Sequence, residues 1–214
     1  MMQSITDIRK EYKMQSLLEK DISTDPFAQF TSWWNDALNS KIDEINAMTL
    51  ATADSNAVPS ARIVLLKGYS EKGFVFFTNY ESEKGRQLAE NPNACLVFFW
   101  KELERQVRIS GRVEKISASE SDEYFESRPA GSRIGAWASP QSRVIASRNV
   151  IDENTSKYQQ QFKEGNIPRP THWGGYIVIP DTIEFWQGRS DRLHDRIRYS
   201  SVENGNWKTE RLAP

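Results

Sequence analysis

Apolar side chains recur every three or four residues between Pro26 and Leu38, and from Ala47 the repeat shortens to two. The first pattern predicts a helix, opened by Asp25 as N-cap with Pro26 in the first turn, whose apolar face carries Phe27, Phe30, Trp34 and Leu38. The charged stretch before it, Ile5–Glu19, reads as either a helix or a mobile arm. The second pattern predicts strands at Ala47–Ala53, Ala61–Tyr69 and Phe74–Asn79, separated by polar, glycine-containing turns. Next comes a short helix with Ser82 as N-cap, stopped at Asn91-Pro92, and then strands at Cys95–Trp100 and Arg105–Ile116. Ser117 and Glu120 have capping-box spacing, opening a helix that must end near Arg128-Pro129. A further helix is expected over Ile151–Lys163 with Gly165 as its stop. Strands return at Tyr176–Ile179, Thr182–Trp186, Arg192–Val202 and Trp207–Leu212, the last two joined by a hairpin at Asn204-Gly205.

About eight strands with helices set between groups of them imply a mostly β, antiparallel, barrel-like fold. A doubly wound parallel fold is excluded, because strand and helix do not alternate and no glycine-rich turn follows the first strand. The length of 214 residues suits one domain. Its parts are an arm or lid at 1–20, a helix at 21–41, the main barrel strands at 47–117, a helical insertion at 118–165 and C-terminal strands at 173–214.

Charge and composition remove whole classes of function. With 28 basic and 29 acidic residues, the net charge of −1 gives no general attraction for nucleic acid or an anionic membrane. The single cysteine, Cys95, forbids an internal disulfide, and no segment has the length and apolarity of a membrane span. A cytoplasmic location is the expectation. Two histidines and one cysteine are a poor supply of metal ligands, so no metal is expected. No phosphate-binding P-loop or serine nucleophile elbow is present either. If the chain is an enzyme, an organic cofactor is the economical source of its chemistry.

The remaining signals are local cations. In an extended Arg192–Tyr199 segment, Arg192, His194, Arg196 and Arg198 would share one face, which is either a charged, solvated edge strand or an anion site. Arg62 and Lys67 bracket an apolar run, and their spacing of five puts them on opposite faces unless the strand bends. Lys84 lies in the first turn of a helix, where free backbone N–H groups favour an anion, although most such helix ends bind nothing. Tyr124, Arg128 and Ser132 surround another helix end, which by default faces solvent.

A resemblance joins these pieces. Arg9-Lys-Glu-Tyr12, Arg62-Ile-Val-Leu-Leu-Lys67, Phe76-Phe-Thr-Asn79, Glu104-Arg-Gln-Val107, Tyr124-Phe-Glu-Ser-Arg-Pro129, Ile134-Gly-Ala-Trp137, Gln141-Ser142, Trp173-Gly-Gly175, Ile183-Glu-Phe-Trp-Gln-Gly188, Arg192-Leu-His194 and Arg211-Leu-Ala-Pro214 resemble, in order and spacing, the pyridoxine/pyridoxamine 5′-phosphate oxidase family. The resemblance implies an FMN-binding split β-barrel, Greek-key-like, working as a homodimer with FMN at the subunit interface. It implies oxidation of pyridoxine 5′-phosphate or pyridoxamine 5′-phosphate by O2 to pyridoxal 5′-phosphate. FMN contacts are implied for Arg62, Ile63, Val64, Leu65, Leu66, Lys67, Phe77, Thr78, Lys84, Gln106, Gln141, Ser142, Trp186 and Arg196. Substrate contacts are implied for Arg9, Tyr12, Lys67, Tyr124, Arg128, Ser132, Arg192, Leu193 and His194, with Arg192 and His194 as the catalytic pair. Relatives often carry Arg where this chain has Glu83, which cannot donate to a phosphate. The other readings are a non-catalytic FMN or pyridoxal-phosphate carrier, a flavin oxidase of the same barrel type for another small ring, or an interaction module.

Overall fold

The computed structural model describes residues 4–7 and 10–214, so the expected contact of Arg9 lies outside the described residues. The described part of the arm holds no α-helix, only short 3-10 turns at Ile5–Asp7 and Glu19–Asp21. Nine strands follow, β1 (Ala47–Ala53), β2 (Pro59–Leu65), β3 (Gly68–Ser70), β4 (Gly73–Asn79), β5 (Asn93–Trp100), β6 (Arg105–Lys115), β7 (Trp173–Gln187), β8 (Asp195–Ser201) and β9 (Trp207–Leu212). Pairing runs β2-β1-β5-β6-β7-β4-β3, with β8 on β7 and β9 on β8. The helices are α1 (Pro26–Leu38), α2 (Glu83–Glu90), α3 (Ala118–Ser127), α4 (Ala130–Ala138) and α5 (Asn149–Gln161). None of the described helices is long and apolar enough to cross a membrane.

The chain forms two compact units. The first comprises Met1–Thr49, Cys95–Ser110 and Pro180–Pro214. In it the Asp25 carboxylate accepts from the N–H groups of Phe27 and Ala28, fixing the start of α1. That helix buries Phe27, Phe30, Trp33 and Ala37, whereas Trp34 is half-buried and Leu38 exposed, so the expected face is rotated. Two adjacent tryptophans leave the period ambiguous. Tertiary contacts decide it, because Trp33 meets Phe185 edge-on at 5.2 Å and the Arg105 guanidinium lies 4.4 Å above its ring. Phe98, Trp100, Ile183, Ile197 and Tyr199 complete this core.

The second unit comprises Leu50–Ala94 and Gly111–Ile179. Here β4 pairs with β7 from Phe74↔Val178 to Asn79↔Trp173, and Phe125, Ile134, Ile167 and Trp173 form a buried cluster beside them. Gly175 stands opposite Phe77, and a Cβ there would meet Ile116 Cδ1 at 2.4 Å, so any larger residue would force the Ile116 and Phe77 side chains to shift. Both expected caps form: Ser82 accepts from Gly85 N–H, and Ser117 and Glu120 make the reciprocal box.

Several expected boundaries move. The strand expected over Ala61–Tyr69 is divided at Leu66-Lys67 into β2 and β3, with Lys67 N–H donating to Val75 O at 2.8 Å. Tyr176–Ile179 and Thr182–Trp186 belong to one strand, β7. Pro180 is tolerated because the β4 ladder ends at Val178 and the β8 ladder begins at Thr182. The strand expected from Arg192 begins at Asp195 instead, since Ser190–Arg192 is a 3-10 turn with Asp191 and Arg192 at φ 56° and 62°. Helix α5 ends at Gln161, a turn before Gly165. Helix α4 was not expected. Pro129 serves both as the stop of α3 and as the residue that opens α4, two roles that one proline does not distinguish in sequence.

Candidate functional site

A cavity of about 870 Å³ opens in the second unit, within the range of ligand sites. Arg62, Ile63, Val64 and Leu65 reach it from β2, Lys67 from the break after β2, and Phe77 and Thr78 from β4. Lys84 comes from the first turn of α2, Tyr124 and Arg128 from α3 and its end, Ser132 from α4, and Gln141 and Ser142 from the loop beyond. The break after Leu65 is what lets Arg62 and Lys67 line one cavity. Leu66, between them, is buried.

Four cations line this wall, and no Asp or Glu is among its described residues. Arg62 is held by neutral acceptors: its Nη2 donates to Ser60 Oγ at 2.9 Å and Gln87 Oε1 at 3.3 Å, and its Nη1 to Thr52 Oγ1. Burial holds the guanidinium below its ordinary pKa. Lys84 is 8% exposed, and its Nζ has only long bonds, to Ser82 Oγ at 3.3 Å and Gln141 Oε1 at 3.4 Å. Burial first, and the Arg62 charge second, push the Lys84 ammonium down, while Glu83 pulls it up. Thr78 Oγ1 also reaches Gln141 Oε1, at 3.4 Å. Arg128 keeps Nη1 buried without a hydrogen-bond partner, and burial lowers its pKa too. Desolvated cations with neutral or missing partners are costly unless an anion answers them. The first turn of α2 adds free N–H groups of the same sign.

One wall is aromatic. Phe77 stacks on Tyr124 at 3.9 Å and on Trp173 at 5.5 Å. Trp173, outside the residues expected from sequence, also lines the cavity, together with Asn79, Pro129 and Ser139. The signal available for Trp173 was the bulky ring immediately before Gly174-Gly175, a pair that marks close packing.

The remaining expected residues lie in the first unit. Trp186 and His194 approach at 4.5 Å, and Tyr12 meets Trp186 at 5.8 Å and His194 at 6.0 Å. Gly188 makes room for Tyr12, since a Cβ there would stand 2.7 Å from its Cγ. The Tyr12 segment is tied down by Glu104, a 3% exposed residue whose carboxylate accepts from Lys13 N–H at 2.8 Å and Met14 N–H at 3.1 Å. His194 Nδ1 accepts from Arg189 N–H at 3.1 Å, which fixes an imidazole that is neutral with its proton on Nε2. Burial and the Arg192 charge both lower its pKa. Arg192 and Leu193 are exposed, and Gln106 is half-buried on β6.

The turn at Ser190–Arg192 removes Arg192 and His194 from the face expected to carry Arg196 and Arg198. Those two, with Arg108, line a cleft of about 200 Å³, but chain carboxylates answer them. Glu184 binds Arg196 at 2.9 Å and Arg108 at 3.1 Å, and Glu210 binds Arg198 at 3.0 Å.

Comparison with known proteins agrees along the chain. Residues 35–162 match the family described as pyridoxamine 5′-phosphate oxidase, and residues 173–214 match the pyridoxine 5′-phosphate oxidase C-terminal dimerisation region. The chain is 57% identical over 211 residues to the pyridoxine/pyridoxamine 5′-phosphate oxidase of Trichormus variabilis, covering 99% of each. It is 55% identical over 213 residues to the protein of that name from Cupriavidus pinatubonensis, covering 100% of each. Among solved structures, PhzG from Burkholderia lata, in complex with tetrahydrophenazine-1-carboxylic acid, superposes with a TM-score of 0.87 at 30% identity, covering 94% of this chain and 99% of that one. A pyridoxamine 5′-phosphate oxidase-related, FMN-binding protein of Nostoc punctiforme gives 0.70 at 17% identity, covering 90% and 100%, a likeness of fold.

Proposed function

Because this chain belongs to the pyridoxamine 5′-phosphate oxidase family, we propose that it oxidises pyridoxine 5′-phosphate or pyridoxamine 5′-phosphate to pyridoxal 5′-phosphate, with FMN as its cofactor. The observation that carries this reading is the cavity wall of four cations without a carboxylate, which suits phosphate monoesters. Cofactor and substrate bring one such group each.

The residues present fit FMN. Arg62, Thr78 and Lys84 at the start of α2 would hold its phosphate, with Ile63, Val64, Leu65, Leu66, Lys67 and Phe77 alongside. Gln141 and Ser142 would complete its surroundings, while Gln106, Trp186 and Arg196 are assigned there by resemblance alone, Arg196 being bound to Glu184 in this structure. When bound, FMN supplies the acceptance of two electrons from carbon and their delivery to dioxygen. In the balanced reaction the substrate loses two electrons and two protons, one hydrogen from C4′ and one from its hydroxyl or amino group, and O2 becomes H2O2. The amine additionally consumes water and releases ammonia.

The chain's own part is binding and orientation. Lys67, Tyr124, Arg128 and Ser132 would take the substrate phosphate and so fix the position of C4′. Tyr12, Arg192, Leu193 and His194 would enclose the pyridine ring, Arg9 being assigned there by resemblance alone. His194, neutral with Nε2–H, would offer the substrate a hydrogen-bond donor but no positive charge, so Arg192 would supply the charge on that side. The match of residues 173–214 to a dimerisation region supports a homodimer in which two copies share each site.

A second reading has one observation behind it, the structural likeness to PhzG bound to a reduced tricyclic carboxylic acid. Air oxidation by the purified FMN-loaded protein separates the two, with aldehyde and peroxide followed for the phosphorylated pyridines and loss of tetrahydrophenazine-1-carboxylic acid followed in parallel. The proposal expects stoichiometric pyridoxal 5′-phosphate and peroxide. Turnover of the tricycle alone would overturn it.

A further inference from the structure

We infer that Trp173 is a positioning residue for phosphate recognition, holding the half-buried Arg128 guanidinium, with Nη1 buried and unpaired, at the cavity wall. The inference rests on the reading that Arg128 grips the substrate phosphate, and it adds how that grip is kept ready.

An arginine without a carboxylate normally swings its head into water. Arg128 does not. It caps the C-terminus of α3, with φ −77° and ψ 147° before Pro129 and its N–H donating to Phe125 O. Its Cζ lies 4.6 Å from the Trp173 ring centre and 5.6 Å from that of Phe125, and Nη1 is buried without a partner. An indole face attracts a guanidinium electrostatically without consuming any N–H donor. A carboxylate in the same place would occupy those donors and cancel the charge. Trp173 therefore retains the cation where a phosphate can use it.

Trp173 is itself firmly placed. It is 7% exposed and pairs with Asn79 across β4 and β7. Its carbonyl accepts from Arg169 Nη1 at 2.7 Å, and Arg169 is in turn bound to Asp122 at 2.6 Å. Its ring lies parallel to those of Phe77 and Tyr124, with interplanar angles of 15° and 9°. One rigid ring thus joins Tyr124 and Arg128, the two α3 residues assigned to the phosphate.

The test uses FMN-loaded protein carrying Trp173→Tyr, Trp173→Phe or Trp173→Leu, alone and combined with Arg128→Ala. Three quantities are read: KM and kcat for pyridoxine 5′-phosphate, the inhibition constant of inorganic phosphate, and the FMN dissociation constant. Trp173→Leu is expected to raise KM and the phosphate inhibition constant together by roughly tenfold, with a smaller change in kcat and in FMN affinity. Tyr and Phe should fall between Trp and Leu, so the series stays decisive even if the Leu variant does not fold. In the Arg128→Ala background the same changes should have little further effect. If Arg128→Ala weakens phosphate binding while the Trp173 series is flat, this inference fails and the Arg128 reading stands. If Arg128→Ala itself leaves both constants unchanged, the Arg128 reading fails with it.

Discussion

The strand cations of the first unit and the cavity cations of the second are treated in opposite ways. In the first, Arg108 and Arg196 share Glu184, Arg189 and Arg211 share Asp195, Arg198 has Glu210, and Arg105 has Asp36. In the second, Arg62, Lys84 and Arg128 line a cavity whose described wall has no carboxylate, and burial depresses the pKa of all three. Neutralised cations fasten strands to one another. Desolvated cations answered only by Glu83, from outside the wall, are costly for the isolated fold, and they make sense as a seat for something anionic.

The contrast assigns different consequences to substitutions in the two units. Arg192, exposed in its left-handed turn, is proposed to act on the substrate ring. Its change to Leu should cut turnover about 100-fold or more while FMN content stays near wild type. Assaying the two side by side checks this, and equal loss of both would remove the distinction between the units. Lys84→Met deletes a buried ammonium at the start of α2. It should weaken FMN binding about 10- to 100-fold, as measured by quenching of flavin fluorescence on titration into apoprotein.

A smaller effect concerns protonation. The His194 pKa is lowered by burial and by Arg192, so the folded state binds its proton less readily than the unfolded chain does. The stability this contributes is present above the unfolded value of about 6.5 and is lost as pH falls through the lower folded value. A proton NMR titration can follow it directly, because the chain has only two histidines. The expected midpoint lies below 6.5 and rises in Arg192→Leu. A midpoint unmoved by that change would show that the two side chains are not coupled.

The smallest effect is expected at Glu104, whose carboxylate ties the segment carrying Tyr12. Glu104→Gln keeps the shape but weakens the charged acceptor of two backbone N–H groups and of Lys10 at 3.5 Å. About a threefold rise in KM, with faster tryptic cleavage after Lys13, is the predicted result. Unchanged cleavage would mean that other contacts hold the arm.

What could be read from sequence follows the range of the interactions. The caps at Asp25, Ser82 and Ser117 were legible because a side chain closes on a backbone only two or three residues away. The Asn204-Gly205 hairpin was legible because its turn takes a positive φ, 73° at Gly205, that glycine adopts freely. The turn at Ser190–Arg192 was not, because alternating charge from Arg192 to Arg198 mimics a strand. What prevents the strand there is an imidazole folding back on Arg189 N–H and two non-glycine residues in the left-handed region. The choice of Trp33 over Trp34, and the place of Trp173 in the cavity, depend on partners distant in sequence. In the site, the cations were visible as residue types, and the motif order suggested their grouping. The absence of carboxylates beside them is a property of the folded wall alone.

Riboflavin, which is FMN without its phosphate, tests directly whether that wall is a phosphate seat. Parallel titrations of apoprotein should give FMN a dissociation constant at least about 100-fold below that of riboflavin, the difference expected from two or more charge-assisted bonds. Most of that ratio should disappear in Lys84→Met. Equal affinity for the two flavins would show that the unpaired cations of the second unit serve some other purpose.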